Sequence, residues 1–408
     1  LIKSERVSKG ARPKKGRSRR YRRLQPITNV WSLLKLRRDA VKLVAACLEL
    51  KAAWEDQKGF FTHLPIPFDG SCNGIQHLAL LSRDQDAAGR VNLVPSQTPH
   101  DIYTDVAMSV RKLVLADDSG LAKWWQQCFE SLDKKAIRKL CKPPVMTLSY
   151  GVTDPRMRLQ LVNTYREELR REDEPPDGGW DFLAKKIRAA AEELLPKAIG
   201  VTDHIRNIAQ QCTNEGRVMV WTSPSGFPCA NRYVESNVKT ADLKRRNKEG
   251  YLIRVARHNV PLGSTGKILK EAPRKAAANF VHSMDASHLI FIVLMVTEPW
   301  RHFKTSGDIV TVHDCFACHA PDADNLMAAI RDTLWMMYCP EAAVPKAFGL
   351  PSVSADRNHL ADLRRANGIY WCCAASLHCP DATLACPCLP AIGELNVSDV
   401  LKAKYPWH

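Results

Sequence analysis

Apolar residues recur at helical spacing at Trp31, Leu34, Val41, Leu43, Val44, Cys47, Leu48 and Trp54, which predicts one or two core-facing helices over residues 31–54. A short apolar run from Leu64 to Phe68 stops at Asp69. After a small polar turn through Gly70, Ser71, Asn73 and Gly74 the apolar residues return at Leu78–Leu81. This reads as a buried strand, a turn and a helix continuing from Gln76 to Asp86. A loop at Pro95–Pro99 leads into a helix carrying Asp101, Tyr103 and Val106, with Ser96 or Thr98 as its expected cap. Trp124, Trp125 and Phe129 read as core. Ser131 or Asp133 can cap the next helix. Further helices are expected over 159–171, 180–195 and 199–211, with an acidic loop at 172–179. Arg217–Pro228 reads as strand, turn and strand, and residues 239–260 as a basic hairpin around Asn247–Gly250. A helix is expected over 276–296. Asp308–Ala317, rich in β-branched residues, reads as a second hairpin with His313 and Asp314 at its tip.

Charge adds a partner to this pattern. The 408 residues hold 59 Lys and Arg against 43 Asp and Glu, a net charge of +16. Such an excess favours a polyanion, nucleic acid first and an anionic membrane surface second. The longest apolar run, Leu289–Val296, is too short to span a bilayer. Residues 1–25 contain eleven Lys or Arg and one acid, Glu5, and are expected to be a disordered arm that can lie on phosphates. Of the 14 cysteines, Cys47, Cys128, Cys212 and Cys229 are scattered and read as small buried hydrophobes. Cys372, Cys373, Cys379, Cys386 and Cys388 crowd near the end with His378, but they lack the paired spacing of a zinc site.

Three stretches carry chemistry. Asp69 ends a strand beside a glycine, where a carboxylate is fixed and a ligand can approach the backbone. Asp314 sits at the tip of a hairpin. Two strand-end carboxylates that meet in one sheet can hold two divalent cations for in-line phosphoryl transfer. Between them, Arg138, Lys142, Met146 and Tyr150 are spaced by four, one face of a helix. Two cations at one end suit a triphosphate; a Met and a Tyr further along suit a base and a ribose.

Taken in order, these stretches resemble the single-subunit RNA polymerases of bacteriophage and mitochondrial type. Asp69-Gly-Ser-Cys-Asn-Gly-Ile-Gln-His is similar to their first metal motif, and Arg138-x3-Lys142-x3-Met146-x3-Tyr150-Gly151 to their nucleotide-binding helix. Val312-His313-Asp314 is similar to the second metal motif. Val91–Tyr103, Asn279–His288 and Leu389–Leu401 agree as well, so the resemblance runs from about Val41 nearly to the end.

The resemblance implies an α/β (α+β) fold, the palm and fingers of a right-hand polymerase, mostly helical with a small antiparallel palm sheet. Residues 1–40 would be the basic arm, 41–97 a first palm segment, 98–282 the fingers and 283–408 a second palm segment. It implies DNA-directed RNA synthesis from NTPs on a DNA template, two Mg²⁺ ions on Asp69, Asp314 and the Gly70 carbonyl, and Lys142 acting on pyrophosphate beside Arg138. Tyr150 and His282 would sense the ribose 2′-hydroxyl, and Tyr103 would line the nucleotide site. The basic hairpin, with Lys244, Arg245, Arg246 and Lys248, would contact DNA. A mitochondrial location and mitochondrial transcription factors as partners are implied too.

The chain departs from the family at Pro143 and Pro144, inside what should be continuous helix, where a kink or a restart is expected. Its ending, Tyr405-Pro-Trp-His408, differs as well. Two other readings remain open on sequence. One is a related DNA polymerase, although Gly70, Ser71 and Cys72 stand where those enzymes usually carry a bulky acid. The other is a non-catalytic nucleic-acid-binding remnant.

Overall fold

The structure, a computed structural model, describes residues 40–62, 64–246, 250–297, 308–339, 366 and 394–404. The basic arm, the crowded C-terminal cysteines, Lys248 and the final residues Tyr405–His408 lie outside the described residues.

The chain divides into two compact units between Leu64 and Pro65. In the first, α1 (Ala40–Glu55) forms where a helix is expected. It is not core-facing: Val41, Leu48, Leu50 and Trp54 are exposed, Trp54 by 79%. Its apolar residues ring the helix rather than forming a stripe, so no one face can bury them all.

The second unit begins with β1 (Ile66–Asp69), then α2 (Asn73–Ser82) and α3 (Gln85–Arg90). The single helix expected to Asp86 is two, because Arg83 takes a left-handed conformation and Asp84 caps α3 through the Ala87 N–H. Next come α4 (Ile102–Leu115), α5 (Gly120–Glu130), α6 (Lys134–Leu148) and α7 (Asp154–Asn163), the last extended by a π-turn at Thr164–Glu168. Asp101 itself caps α4 by accepting from the Tyr103 N–H, in place of Ser96 or Thr98. Asp133 caps α6. The helices α8 (Gly179–Leu194) and α9 (Pro196–Asn214) follow. Trp125, Phe129, Tyr165 and Trp180 form a buried aromatic knot, with Trp125 and Trp180 edge to face at 5.3 Å. The Trp125 indole donates to the Gly179 carbonyl at 2.9 Å, so the knot buries a polar group without leaving it unpaired.

Helix α6 runs unbroken through Pro143 and Pro144, with neither a restart nor an assigned break. The Thr147 hydroxyl donates to the carbonyls of Pro143 and Pro144, at 3.1 and 3.0 Å, and lies 3.3 Å from the Gln160 side chain of α7.

The short strands β2 (Val220–Thr222) and β3 (Pro228–Ala230) pair, as do the long strands β4 (Val234–Arg246) and β5 (Leu252–Ile268). The second pair is a two-stranded ribbon exposed along most of its length. Helix α10 (Ala272–Thr297) is long and apolar enough to cross a membrane by length and composition, but half of its most apolar window is buried and it packs against α9 and α11 (Ala323–Tyr338). It is a core helix.

The hairpin of β6 (Ile309–Val312) and β7 (Cys315–Cys318) forms as expected, with His313 in the left-handed region at its tip. Strand β1 adds to β7, giving an antiparallel sheet in the order β1-β7-β6. Below it, the Phe316 ring meets His288 of α10 at 6.0 Å, and His288 Nε2 donates to the Ile330 carbonyl of α11 at 3.1 Å. His77 of α2 is hydrogen-bonded to the Tyr338 hydroxyl at 2.8 Å. These bonds tie three helices together, and the Phe316 contact sets them against the sheet that carries Asp69 and Asp314.

Burial pushes the His288 imidazole down to about 4, so the folded state holds it neutral. Above the ordinary histidine value the contribution of His288 is intact. It is lost as pH falls from about 6.5 toward 4, because the unfolded chain takes up the proton first. Relative to His288→Gln, the wild type should lose up to about 3 kcal/mol between pH 7 and pH 4. Denaturant unfolding of both proteins at several pH values measures the difference and cancels carboxylates that titrate in the same range.

Candidate active site

The pairing of β1 with β7 sets Asp69 opposite Cys315, next to Asp314. Both carboxylates line one cavity of about 580 Å³. Gly70, Tyr103, Arg138, Lys142, Met146 and Tyr150 line it too. The four-residue spacing on α6 therefore holds across the prolines: all four side chains meet one space. His282, on α10, is not in the lining, but its ring lies 4.7 Å from that of Tyr150.

Local chemistry explains each placement. Cys72 takes a left-handed conformation ahead of α2 and turns the chain off the end of β1. Gly74 is required because Ser149 and Tyr150 of the neighbouring helix end press on it: a Cβ there would sit 2.2 Å from Ser149 Oγ and 2.8 Å from Ser149 Cβ. Buried Asn92, also left-handed, bonds through Nδ2 to Ser71 at 3.1 Å and to the His100 carbonyl at 3.0 Å, and accepts the His100 N–H at 2.7 Å. The loop after Asp69 is thereby stitched to the start of α4.

Asp101 does two jobs. It caps α4, and it pairs with Arg138 through Nε and, at 3.2 Å, Nη2. Although burial opposes it, bonding to Arg138 and Thr104 holds the Asp101 carboxyl below its ordinary range, and the same pairing raises Arg138. The Tyr103 ring sits 5.4 Å from the Arg138 guanidinium carbon and 5.0 Å from Lys142 Nζ, within cation–π range of both. Burial, and then the neighbouring Cys72, raise the Tyr103 phenol; burial pushes the Cys72 thiol up to about 11. Both stay protonated.

On the carboxylate side, burial and then the Asp69 charge raise the Asp314 carboxyl. Burial and the Asp314 charge push Asp285 of α10 up to about 6, although Asn73 Nδ2 donates to it at 2.7 Å. Burial, then His313, lowers His282. Negative charge is thus crowded at one end of the cavity, and Arg138 and Lys142 line the same space.

A family model for DNA-dependent RNA polymerase matches residues 25–345. The chain belongs to the DNA-dependent RNA polymerase family. Its relatives include the mitochondrial DNA-directed RNA polymerase of Mus musculus, 31% identical over 296 residues, 71% of this chain and 23% of that protein. The chloroplastic DNA-directed RNA polymerase 3 of Nicotiana sylvestris is 30% identical over 314 residues, 74% of this chain and 30% of that protein. The mitochondrial enzyme of Schizosaccharomyces pombe is 28% identical over 400 residues, 90% and 32%. The chain spans about a third or less of the length of these polymerases.

Several residues that shape this cavity have no expectation from the sequence. Asp101 was legible as a helix start, an acid before an apolar-periodic run, but its hold on Arg138 spans 37 residues. The links from Asn92 to the loop and from Asn73 to Asp285 left no local signal. Of the hairpin cations, Lys244, Arg245 and Arg246 lie on exposed β4, none of them in the cavity lining. Alternation along β4 puts Arg245 on the opposite face from Lys244 and Arg246. Asp242, on the face of Lys244 and Arg246, pairs with Arg254 at 3.8 Å and Arg257 at 2.9 Å.

Gly74→Ala tests the packing of this site. The added methyl meets Ser149 next to the backbone, so the expected cost is about 1–3 kcal/mol. A thermal melt measures it.

Proposed function

We propose that this chain is the catalytic region of an organellar, single-subunit DNA-directed RNA polymerase, which extends an RNA 3′ end from NTPs on a DNA template. One observation carries the reading. Asp69 and Asp314, Arg138 and Lys142, and Tyr103 and Tyr150, drawn from four separate stretches of sequence, line a single cavity. The mitochondrial and chloroplastic names of its relatives support an organelle, with mitochondria the choice from sequence and mitochondrial transcription factors as the matching partners.

The donor set fits Mg²⁺. Among the described residues no three His, Cys, Asp or Glu side chains gather into a closed metal cage. Hard, strongly hydrated Mg²⁺ favours the alternative, one or two carboxylates completed by substrate phosphates and water. Asp69, Asp314 and the Gly70 carbonyl would hold it. When bound, two such ions supply Lewis-acid activation of the attacking 3′-hydroxyl and neutralise charge on the leaving pyrophosphate.

The chain's own groups do the rest. Lys142 binds the β- and γ-phosphates and can hand a proton to the departing pyrophosphate. Arg138, oriented by Asp101, is a fixed cation beside it, and Tyr103 keeps both cations on one side of the cavity. Met146 packs on the base. Tyr150 and His282 meet the ribose, where a 2′-hydroxyl finds polar partners and a deoxyribose leaves them unpaired. Residues 41–97 and 283–408 would be palm segments and residues 98–282 fingers. The β4–β5 ribbon, through Lys244, Arg245, Arg246 and Lys248, would contact DNA.

Primer extension on an RNA–DNA scaffold with Mg²⁺ and NTPs tests this reading without needing a promoter. Wild type should extend the RNA, Asp314→Asn should give no detectable product, and Lys142→Met should slow extension on the order of 10²–10³-fold. Equal, metal-independent binding by all three with no extension would establish the nucleic-acid-binding remnant instead.

A further inference from the structure

The chain leaves α6 through a tight turn immediately after Tyr150. The Val152 N–H returns to the Thr147 carbonyl at 3.2 Å and the Gly151 N–H to Leu148 at 2.9 Å. Gly151 is left-handed, with φ of 68°. This is the Schellman pattern of helix endings, and it satisfies the donors of the turn but not its outer carbonyls. Those accept from arginines of later helices. Arg188 of α8 donates Nη2 to the Val152 carbonyl at 3.0 Å, and Arg206 of α9 donates Nη2 to the Gly151 carbonyl at 3.2 Å.

The two arginines are anchored differently. Arg188 also pairs with Asp154 at 2.6 Å, so it braces α7 against α8. Arg206 has a looser contact with Asp203 on its own helix, at 3.4 Å. It also fills the space that a side chain at position 151 would claim: a Cβ there would lie 3.3 Å from Arg206 Nε and 3.4 Å from Cζ.

We infer that Arg206 is a positioning residue for ribose recognition: it pins the Gly151 carbonyl, and so keeps the Tyr150 ring against His282. This rests on the reading of Tyr150 and His282 as the ribose-contacting pair. Arg206 does not line the cavity, so its effect must pass through the turn. Tyr150 is confined on one side by Gly74 and Ser149, a steric contact that holds only while the turn stays in place. Glycine is the residue least able to hold a turn unaided, because its backbone is the freest. The phosphate-binding part of α6 has its own anchor in the Arg138–Asp101 pair and does not depend on Arg206. The effect is therefore selective: loss of Arg206 loosens recognition of the ribose and spares recognition of the triphosphate.

Equilibrium binding of ATP, dATP and inorganic tripolyphosphate to the whole chain in Mg²⁺ tests this, using wild type, Arg206→Met, Arg206→Lys and Tyr150→Phe, each with a thermal melt. Arg206→Met should lower the preference for ATP over dATP by about 3- to 10-fold, toward the Tyr150→Phe value. Tripolyphosphate binding should be unchanged and the melting temperature within about 2 °C of wild type. Arg206→Lys, which keeps one donor, should retain part of the preference. An unchanged preference in Arg206→Met overturns the inference. So does equal weakening of all three ligands with a lowered melting temperature, the mark of a merely structural role. Primer extension run alongside separates the two readings. A wild type that prefers ATP but extends nothing removes the catalytic reading and leaves the role of Arg206 standing. A wild type with no preference removes the ribose pair and the inference with it.

Discussion

Two carboxylates in one half-buried cavity repel each other, and the molecule is arranged around that repulsion. The antiparallel pairing of β1 with β7 brings Asp69 beside Asp314, from stretches far apart in the sequence. Burial alone disfavours the charge on Asp314, and Asp69 disfavours it further. Asp285 feels the same field from α10. Such an arrangement is unfavourable for the isolated protein and favourable once positive charge arrives, which is why perturbed carboxylates collect at working sites rather than in structural cores. The buried bonds of His77 and His288 to α11 join three helices beneath the sheet, which His288 meets at the Phe316 ring.

Much of this site was legible in the sequence because it depends on local rules. A strand that stops at an acid and a glycine, a β-branched run with His-Asp at its tip, and four residues at helical spacing each form where expected, although β1, expected to be buried, is largely exposed. What was not legible depends on partners far along the chain. Asp101 caps α4 where Ser96 or Thr98 is expected, and its grip on Arg138 is tertiary. Arg206 reads as an ordinary polar position on α9, and only the folded turn reveals its carbonyl partner. The exposure of α1 was misjudged for a physical reason. Apolar content predicts a helix well, but burial requires that content to gather on one side.

The paired prolines show how a local rule yields to context. Pro143 and Pro144 offer no N–H to the carbonyls of Lys139 and Leu140 one turn earlier, and a helix in isolation would bend or stop there. Pro144 and Val145 are buried, as are Leu140, Cys141 and Leu148 of the same helix, and α6 packs against α4, α7 and α8, so tertiary contacts supply what the missing bonds do not. The Thr147 hydroxyl gathers the next two carbonyls and meets Gln160, cross-linking α6 to α7 just beyond the prolines. The register from Arg138 to Tyr150 is thereby kept by the neighbours of the helix as much as by the helix itself.

The β4–β5 ribbon has a consequence outside the site. Among the described residues these two strands have no third, and over a length on the order of 40 Å they expose two unpaired edges, which invite pairing with another copy of the same chain. Lys239, Lys244, Arg245, Arg246, Arg254 and Arg257 lie along these strands, and like charge on both would-be partners opposes that stacking. The same cations that suit a polyanion therefore also act as colloidal protection. Salt screens these exposed charges and so weakens that protection.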